Sequence, residues 1–191
     1  GTSDYWGYNG PTSNQGYPFL FFEEDLVQTG CNVSMDGACF PTLKEAFDII
    51  NMGSINGNIE IRINHSTTET ATAVLTRDLD MSGSTLNIYP GKSGVIVSGD
   101  INGPIIQFEG TNNVTLDGRP MQVGIGANML VRNNNTGSAA TAVSITASSS
   151  NNSVQYVKME CGKGAASSNG VLTIENANNN TAQYNDIKGT S

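Results

Sequence analysis

The sequence predicts an all-β fold, a β-solenoid of about four rungs with one N-terminal capping helix, and three observations carry that prediction. First, a phrase made of a short alternating strand, a polar turn and a second alternating strand occurs at 106–116, 143–156 and 172–184. Its corner asparagines, Asn112 and Asn113, Asn151 and Asn152, then Asn179 and Asn180, restart after 39 and then 28 residues, as in a chain wound into coils with elastic turns. Second, the apolar residues fall into period-2 clusters separated by Gly, Asn and Ser, which is the pattern of many short strands. Third, helical periodicity is confined to one segment, 41–51. Charged residues make up only 14% of the 191 positions, a composition that would suit disorder if the apolar residues were scattered, and they are not.

Residues 1–39 differ from the rest. A Gly/Asn/Tyr-rich stretch containing Trp6 leads into the aromatic run Tyr17, Phe19, Phe21 and Phe22. Flat rings of this kind either stack on sugar faces or cover an open flank of the core; the area they bury favours the second, with this segment packing on or near the cap. Cys31 and Cys39 share one loop, so a small disulfide between them is permitted in an oxidising compartment, and Cys161 is left over. His65 is the only histidine, too little for a four-ligand zinc set or a partner to a nucleophilic Cys161.

The segment 40–58 holds the helix and its connection. Thr42 and Glu45 form a Thr-x-x-Glu capping box, Phe40 is placed as a staple, Leu43, Ala46, Phe47 and Ile50 share a face, and Gly53 is the stop. A lone amphipathic helix ahead of a series of strands is expected to lid the first rung, which otherwise exposes apolar surface and unpaired edges. Rungs follow over 59–191. Strands are expected at 59–63, 73–75, 86–89, 95–97, 105–108, 114–116, 129–131, 143–145, 154–157, 171–174 and 182–187. At about three strands per circuit and roughly 4.8 Å per rung the stack is some 20 Å tall. The corner asparagines tolerate the left-handed backbone of a sharp turn and are expected to stack their amides into a ladder.

The run Phe40-Pro41-Thr42-Leu43-Lys44-Glu45-Ala46-Phe47, then Gly57-Asn58-Ile59-Glu60-Ile61-Arg62-Ile63, Leu86-Asn87-Ile88-Tyr89-Pro90, Asn113-Val114-Thr115-Leu116-Asp117-Gly118-Arg119 and Asp186-Ile187-Lys188-Gly189, resembles the N-terminal part of large secreted β-helix proteins of Bacteroidetes-type bacteria. The resemblance spans roughly 40–191. It implies a right-handed parallel β-helix, export to the cell surface or medium as type IX secretion cargo, and an adhesin-like role. It carries over no catalytic residues. On this reading the rungs continue beyond residue 191 in a longer parent.

The net charge of −8 and pI near 4.4 argue against nucleic acid and anionic membranes, because phosphate binding needs clustered Lys and Arg. No apolar run reaches the roughly 20 residues of a membrane span. Asp117 and Arg119 are the best catalytic candidates, since β-helices that cleave polysaccharides cluster carboxylates with Arg, Lys or His; turn chemistry in Asp-Gly-Arg accounts for them equally and outweighs that reading. Glu69, Asp78, Asp80, Asp100 and Glu109 are the acids from which a weak calcium site would be assembled, although none lies in a recognisable calcium loop. The Gly124-Ile125-Gly126-Ala127 run is too little for a dinucleotide loop. The function expected is a non-enzymatic extracellular stalk or adhesin without cofactor, in contact with polysaccharide or cell-surface glycan. Two alternatives stand beside it: a polysaccharide lyase or hydrolase whose site lies mostly elsewhere or in 121–141, and a filament or surface-layer subunit that self-associates through its C-terminal rung, 171–187.

Overall fold

The computed structural model describes residues 31–53, 57–79, 83–162 and 170–189. Within them the chain is mostly β, with one helix and three sheets whose strands run parallel apart from a hairpin at one end. The aromatic run at 17–22 and the acid Asp80 lie outside the described residues.

The hairpin is β1 (Val33–Met35) and β2 (Ala38–Phe40), followed by helix α1 (Leu43–Asn51). Sheet 1 continues through β3 (Asn58–Ile63), β6 (Thr85–Pro90), β9 (Val114–Asp117), β12 (Ser153–Gln155) and β15 (Thr181–Gln183). Sheet 2 holds β4 (Thr67–Glu69), β7 (Ile96–Gly99), β10 (Met129–Asn133), β13 (Val157–Cys161) and β16 (Asp186–Gly189). Sheet 3 holds β5 (Ala73–Leu75), β8 (Pro104–Glu109), β11 (Thr141–Thr146) and β14 (Leu172–Ile174). From β3 onward every strand pairs with the one three places later, so the chain visits the sheets in rotation, a solenoid-like course.

Register explains why period-2 alternation suffices to build this. Ile61, Ile88, Leu116 and Val154 are partners across successive strands of sheet 1, Val97, Val131 and Met159 across sheet 2, and Leu75, Phe108 and Ile145 across sheet 3. All ten side chains are fully buried. Each contributes about 1.5–3 kcal/mol by leaving water, and a one-residue slip would turn its strand's apolar set outward.

Each sheet has an edge at its first strand, and three different devices close those edges. On sheet 1, β1 pairs antiparallel with β3, while Cys31 and Cys39, disulfide-bonded with Cα atoms 5.2 Å apart, tie the hairpin. On sheet 3, α1 lays Leu43, Ala46, Phe47 and Ile50 on the core, with the Phe47 and Phe108 ring centroids 6.5 Å apart. There the Asn51 amide donates to the Val74 carbonyl at 2.9 Å and its Oδ1 accepts from the Thr76 N–H at 2.9 Å. On sheet 2, Glu69, only 2% exposed, accepts from the N–H groups of Leu43 at 3.0 Å and Lys44 at 3.1 Å, and from the Thr67 hydroxyl at 2.9 Å.

That carboxylate sits where the helix presents unsatisfied donors and its positive dipole end. The helix N-cap is thus made twice, locally by the Thr42 hydroxyl accepting from Glu45 N–H at 3.3 Å, and from another sheet by Glu69. Gly53, at φ +80, ends the helix as expected.

Two expected strands need redrawing. The stretch 154–157 is the end of β12 and the start of β13, and 182–187 is split between β15 and β16, because Tyr156 (φ 53) and Tyr184 (φ 57) adopt left-handed backbone and turn the chain between sheets. The hairpin strands were hidden in 1–39, whose composition reads as loop.

Glu69→Ala leaves two helix N–H groups and a buried hydroxyl without their acceptor; a loss of about 1–3 kcal/mol in urea unfolding is expected. Thr111 is fully buried and its hydroxyl has no partner among the described residues. Thr111→Val is therefore expected to leave the melting temperature unchanged or raise it, and a drop of several degrees would contradict this.

Candidate functional site

Two corners of each coil carry most of the polar chemistry. At the corner from sheet 3 to sheet 1, Asn113, Asn151 and Asn179 occupy equivalent places with φ of 60, 57 and 54. Asparagine tolerates this conformation better than most side chains. The repeat there is offset by one from the sequence reading: Asn112 aligns with Ser150 and Asn178, not with Asn151.

The expected amide-on-amide ladder is corrected too. The Asn152 side chain, 1% exposed, accepts from Val114 N–H at 2.9 Å and donates to the Thr111 carbonyl at 3.0 Å. Asn180 repeats this one coil on, accepting from Asn152 N–H at 3.0 Å and donating to the Ser149 carbonyl at 2.9 Å. Each amide satisfies the corner backbone of the coil beneath it. Asn112 does so in the opposite direction, accepting from the Ser150 N–H and hydroxyl, both at 2.7 Å.

Asn133, the first of a run of three asparagines, and Asn185, which stands alone, perform the same task elsewhere and escaped the sequence reading, because neither lies in the repeated Asn-Asn phrase. Asn133 is buried and bonds the carbonyls of Ile101, Gly103 and Thr141. Asn185 accepts from Val157 N–H at 2.9 Å and donates to the Val154 carbonyl at 2.8 Å.

The corner from sheet 1 to sheet 2 contains the candidate acid. Asp117 ends β9 with 1% of its side chain exposed. Its Oδ1 accepts from the Arg119 N–H at 2.9 Å and Nε at 3.0 Å; its Oδ2 accepts from Arg119 Nη2 at 2.6 Å and Gln155 Nε2 at 2.9 Å. The Arg119 guanidinium lies over the Tyr156 ring, 4.3 Å from its centroid, and donates to the Gly124 carbonyl at 3.3 Å. Gly118, between the two charged residues, has no room for a side chain, since a Cβ would collide with the Tyr156 carbonyl.

Electrostatics follow from this packing. Burial opposes ionisation of Asp117, but the hydrogen bonds from Arg119 and Gln155, helped by the arginine charge, outweigh it and hold the carboxyl below the usual carboxylate range. The same pairing raises Arg119 above the ordinary arginine value. A carboxylate with both oxygens occupied and its proton affinity lowered is poorly suited to general acid or base chemistry at neutral pH. It is well suited to fixing a guanidinium over an aromatic ring.

The connection after Arg119 forms a short 3-10 turn, Pro120–Gln122, and then exposes Val123 and Ile125 before β10. The Gly124-Ile125-Gly126-Ala127 run thus leads to a strand rather than a helix, which leaves no dipole end for a phosphate.

The remaining acids do not converge. Glu69 caps α1, Asp78 accepts from Asn112 at 2.9 Å, Asp100 from Asn135 at 2.7 Å, and Glu109 from Gln107 at 3.3 Å. Among the described residues no three of His, Cys, Asp and Glu gather into a metal-ligand group. Cys161 is buried and donates to the Ala140 carbonyl at 3.3 Å. Comparison with protein-family models, with curated proteins and with solved structures finds no match.

Because Asp117 has a depressed folded pKa, its contribution to stability is present above the unfolded value near 3.8 and is lost as pH falls toward the folded value. Unfolding measured between pH 7 and pH 2 is expected to show this acid limb. Asp117→Asn should be less stable at pH 7 and should show a flatter limb; an unchanged limb would remove Asp117 as its source.

Proposed function

We propose that this chain is the N-terminal part of an extracellular right-handed parallel β-helix protein of the kind exported by Bacteroidetes-type bacteria, serving as a non-enzymatic stalk or adhesin that contacts glycans. Supporting the handedness, each coil returns a parallel strand to its own sheet, and such crossovers are overwhelmingly right-handed. The Cys31 to Cys39 bridge suits an oxidising compartment, and no helix among the described residues is long and apolar enough to cross a membrane.

The observation that most favours a scaffold over a catalyst is the state of Asp117. The one acid placed beside an arginine in a catalytic-looking turn is buried, ionised and spent on Arg119 and Gln155. A lyase or hydrolase reading would have to find its acid and base elsewhere. Head-to-tail filament growth meets a different obstacle, since β1, Glu69 and α1 already occupy the edges that a second copy's last coil would need.

A glycan array and a polysaccharide-turnover assay on the same protein sample test the proposal together. Binding without turnover is expected. Turnover would overturn the non-enzymatic reading, and absence of both would reduce the role to a spacer.

A further inference from the structure

Positive charge is handled differently at the corner from sheet 1 to sheet 2 in the first two coils. Elsewhere Lys44, Arg119, Arg132 and Lys188 are each bridged to a carboxylate, at 2.7, 2.6, 2.8 and 3.4 Å. Arg62, Lys92 and Lys158 form no ion pair among the described residues. Two of these three come together. The aliphatic stem of Arg62 runs along Gly91, where a Cβ would stand 3.3 Å from Arg62 Cγ and 2.8 Å from Asn64 Oδ1. Lys92 follows directly and sets its Nζ 3.1 Å from His65 Nδ1. A glycine at 91 is thus what lets the arginine lie against the turn that carries the lysine.

The lysine contact fixes the chemistry of the imidazole. An ammonium only donates, so Nδ1 is the accepting nitrogen of His65 and the ring proton sits on Nε2, which adds a third donor to the group. Glu60, two residues before Arg62 on the same face of β3, instead takes the Tyr89 hydroxyl at 2.9 Å. The backbone carrying these donors is held from both sides. The Asn32 carbonyl accepts from the N–H groups of Asn64 at 2.8 Å and His65 at 3.2 Å, and Gly91 N–H donates to the Ile63 carbonyl at 2.8 Å. Asn128 fixes the end of the turn, its side chain accepting from the Ser93 hydroxyl at 3.2 Å and its carbonyl from Gly94 N–H at 3.0 Å. The corner therefore lies inside the stack, between the β1 hairpin and the third coil, and its donors are pre-organised.

Two cations and an imidazole that offer donors without a carboxylate to receive them are complementary to an anionic group. The net charge of −8 does not cancel them, because salt limits the reach of each exposed charge to about 8 Å at physiological ionic strength. It does select the kind of partner. A membrane or a duplex would press its phosphates against the acidic remainder of the surface as well, whereas a single polysaccharide chain meets the corner alone. We propose that Arg62, Lys92 and His65 form a subsite for the anionic group, carboxylate or sulfate, of an acidic polysaccharide. This rests on the glycan-contacting reading above and gives it a place and a ligand class.

Retention of the full chain on beads carrying polygalacturonate or dextran sulfate, with neutral dextran and galactomannan beads beside them, tests the subsite. Retention on at least one acidic matrix is expected, fading as salt is raised. Lys92→Gln and Arg62→Gln should each weaken it about three- to tenfold. Lys158→Gln, which removes the same charge from sheet 2, should leave it unchanged. Equal weakening by all three substitutions would overturn the subsite in favour of diffuse charge, and undiminished retention of both Lys92→Gln and Arg62→Gln would overturn it outright. Retention on a neutral matrix alone would overturn the subsite and leave the glycan-contacting reading in place. No retention on any matrix would overturn both.

Discussion

Backbone hydrogen bonding at the corners is the constraint on which everything else in this molecule depends. A chain that turns between three sheets in every coil repeatedly brings N–H and C=O groups out of the ladders and into partly buried turns. Each such group left unpaired would cost about 1–3 kcal/mol. Asn152, Asn180, Asn185 and Asn133 supply the missing partners, and they do so between coils. A short amide that both donates and accepts is the side chain suited to that role, which accounts for the asparagine-rich composition.

The same constraint governs the first strands of the three sheets, which no earlier coil covers among the described residues. The three sheets are closed by unlike means: a disulfide-tied hairpin strand, an asparagine at the helix C-terminus, and a buried carboxylate aimed at the helix N-terminus. Placing Glu69 beneath the helix satisfies the first helical donors and joins the lid to sheet 2 by a charge-assisted contact. The cap is therefore integral to the first coil rather than laid over it.

Asp117 shows how a residue can look catalytic in sequence and be structural in space. Its acidity, its arginine neighbour and its turn all suit a glycosidic site, yet its oxygens are consumed within the corner. What the pair accomplishes is orientation, holding a guanidinium against Tyr156 on one side and setting the polarity of the Gln155 amide on the other. The surface it organises is aromatic and polar.

By itself the sequence determined the inward residues, the helix and the existence of repeated corners, because period-2 and period-3.6 patterns and recurring asparagines depend only on local geometry. The face of α1 formed by Leu43, Ala46, Phe47 and Ile50 was legible for that reason, as was the left-handed role of the corner asparagines. Tertiary structure alone decided the register that offsets Asn112 from Asn151, the reach of Glu69 to a helix some 25 residues earlier, and the splitting of two expected strands at Tyr156 and Tyr184. Those features arise between segments separated by 25 to 38 residues, where loops of unequal length set which residues meet. No local pattern encodes a contact across such a gap; only the stacking of one coil on the next places an amide on a foreign backbone or a tyrosine beneath a distant arginine.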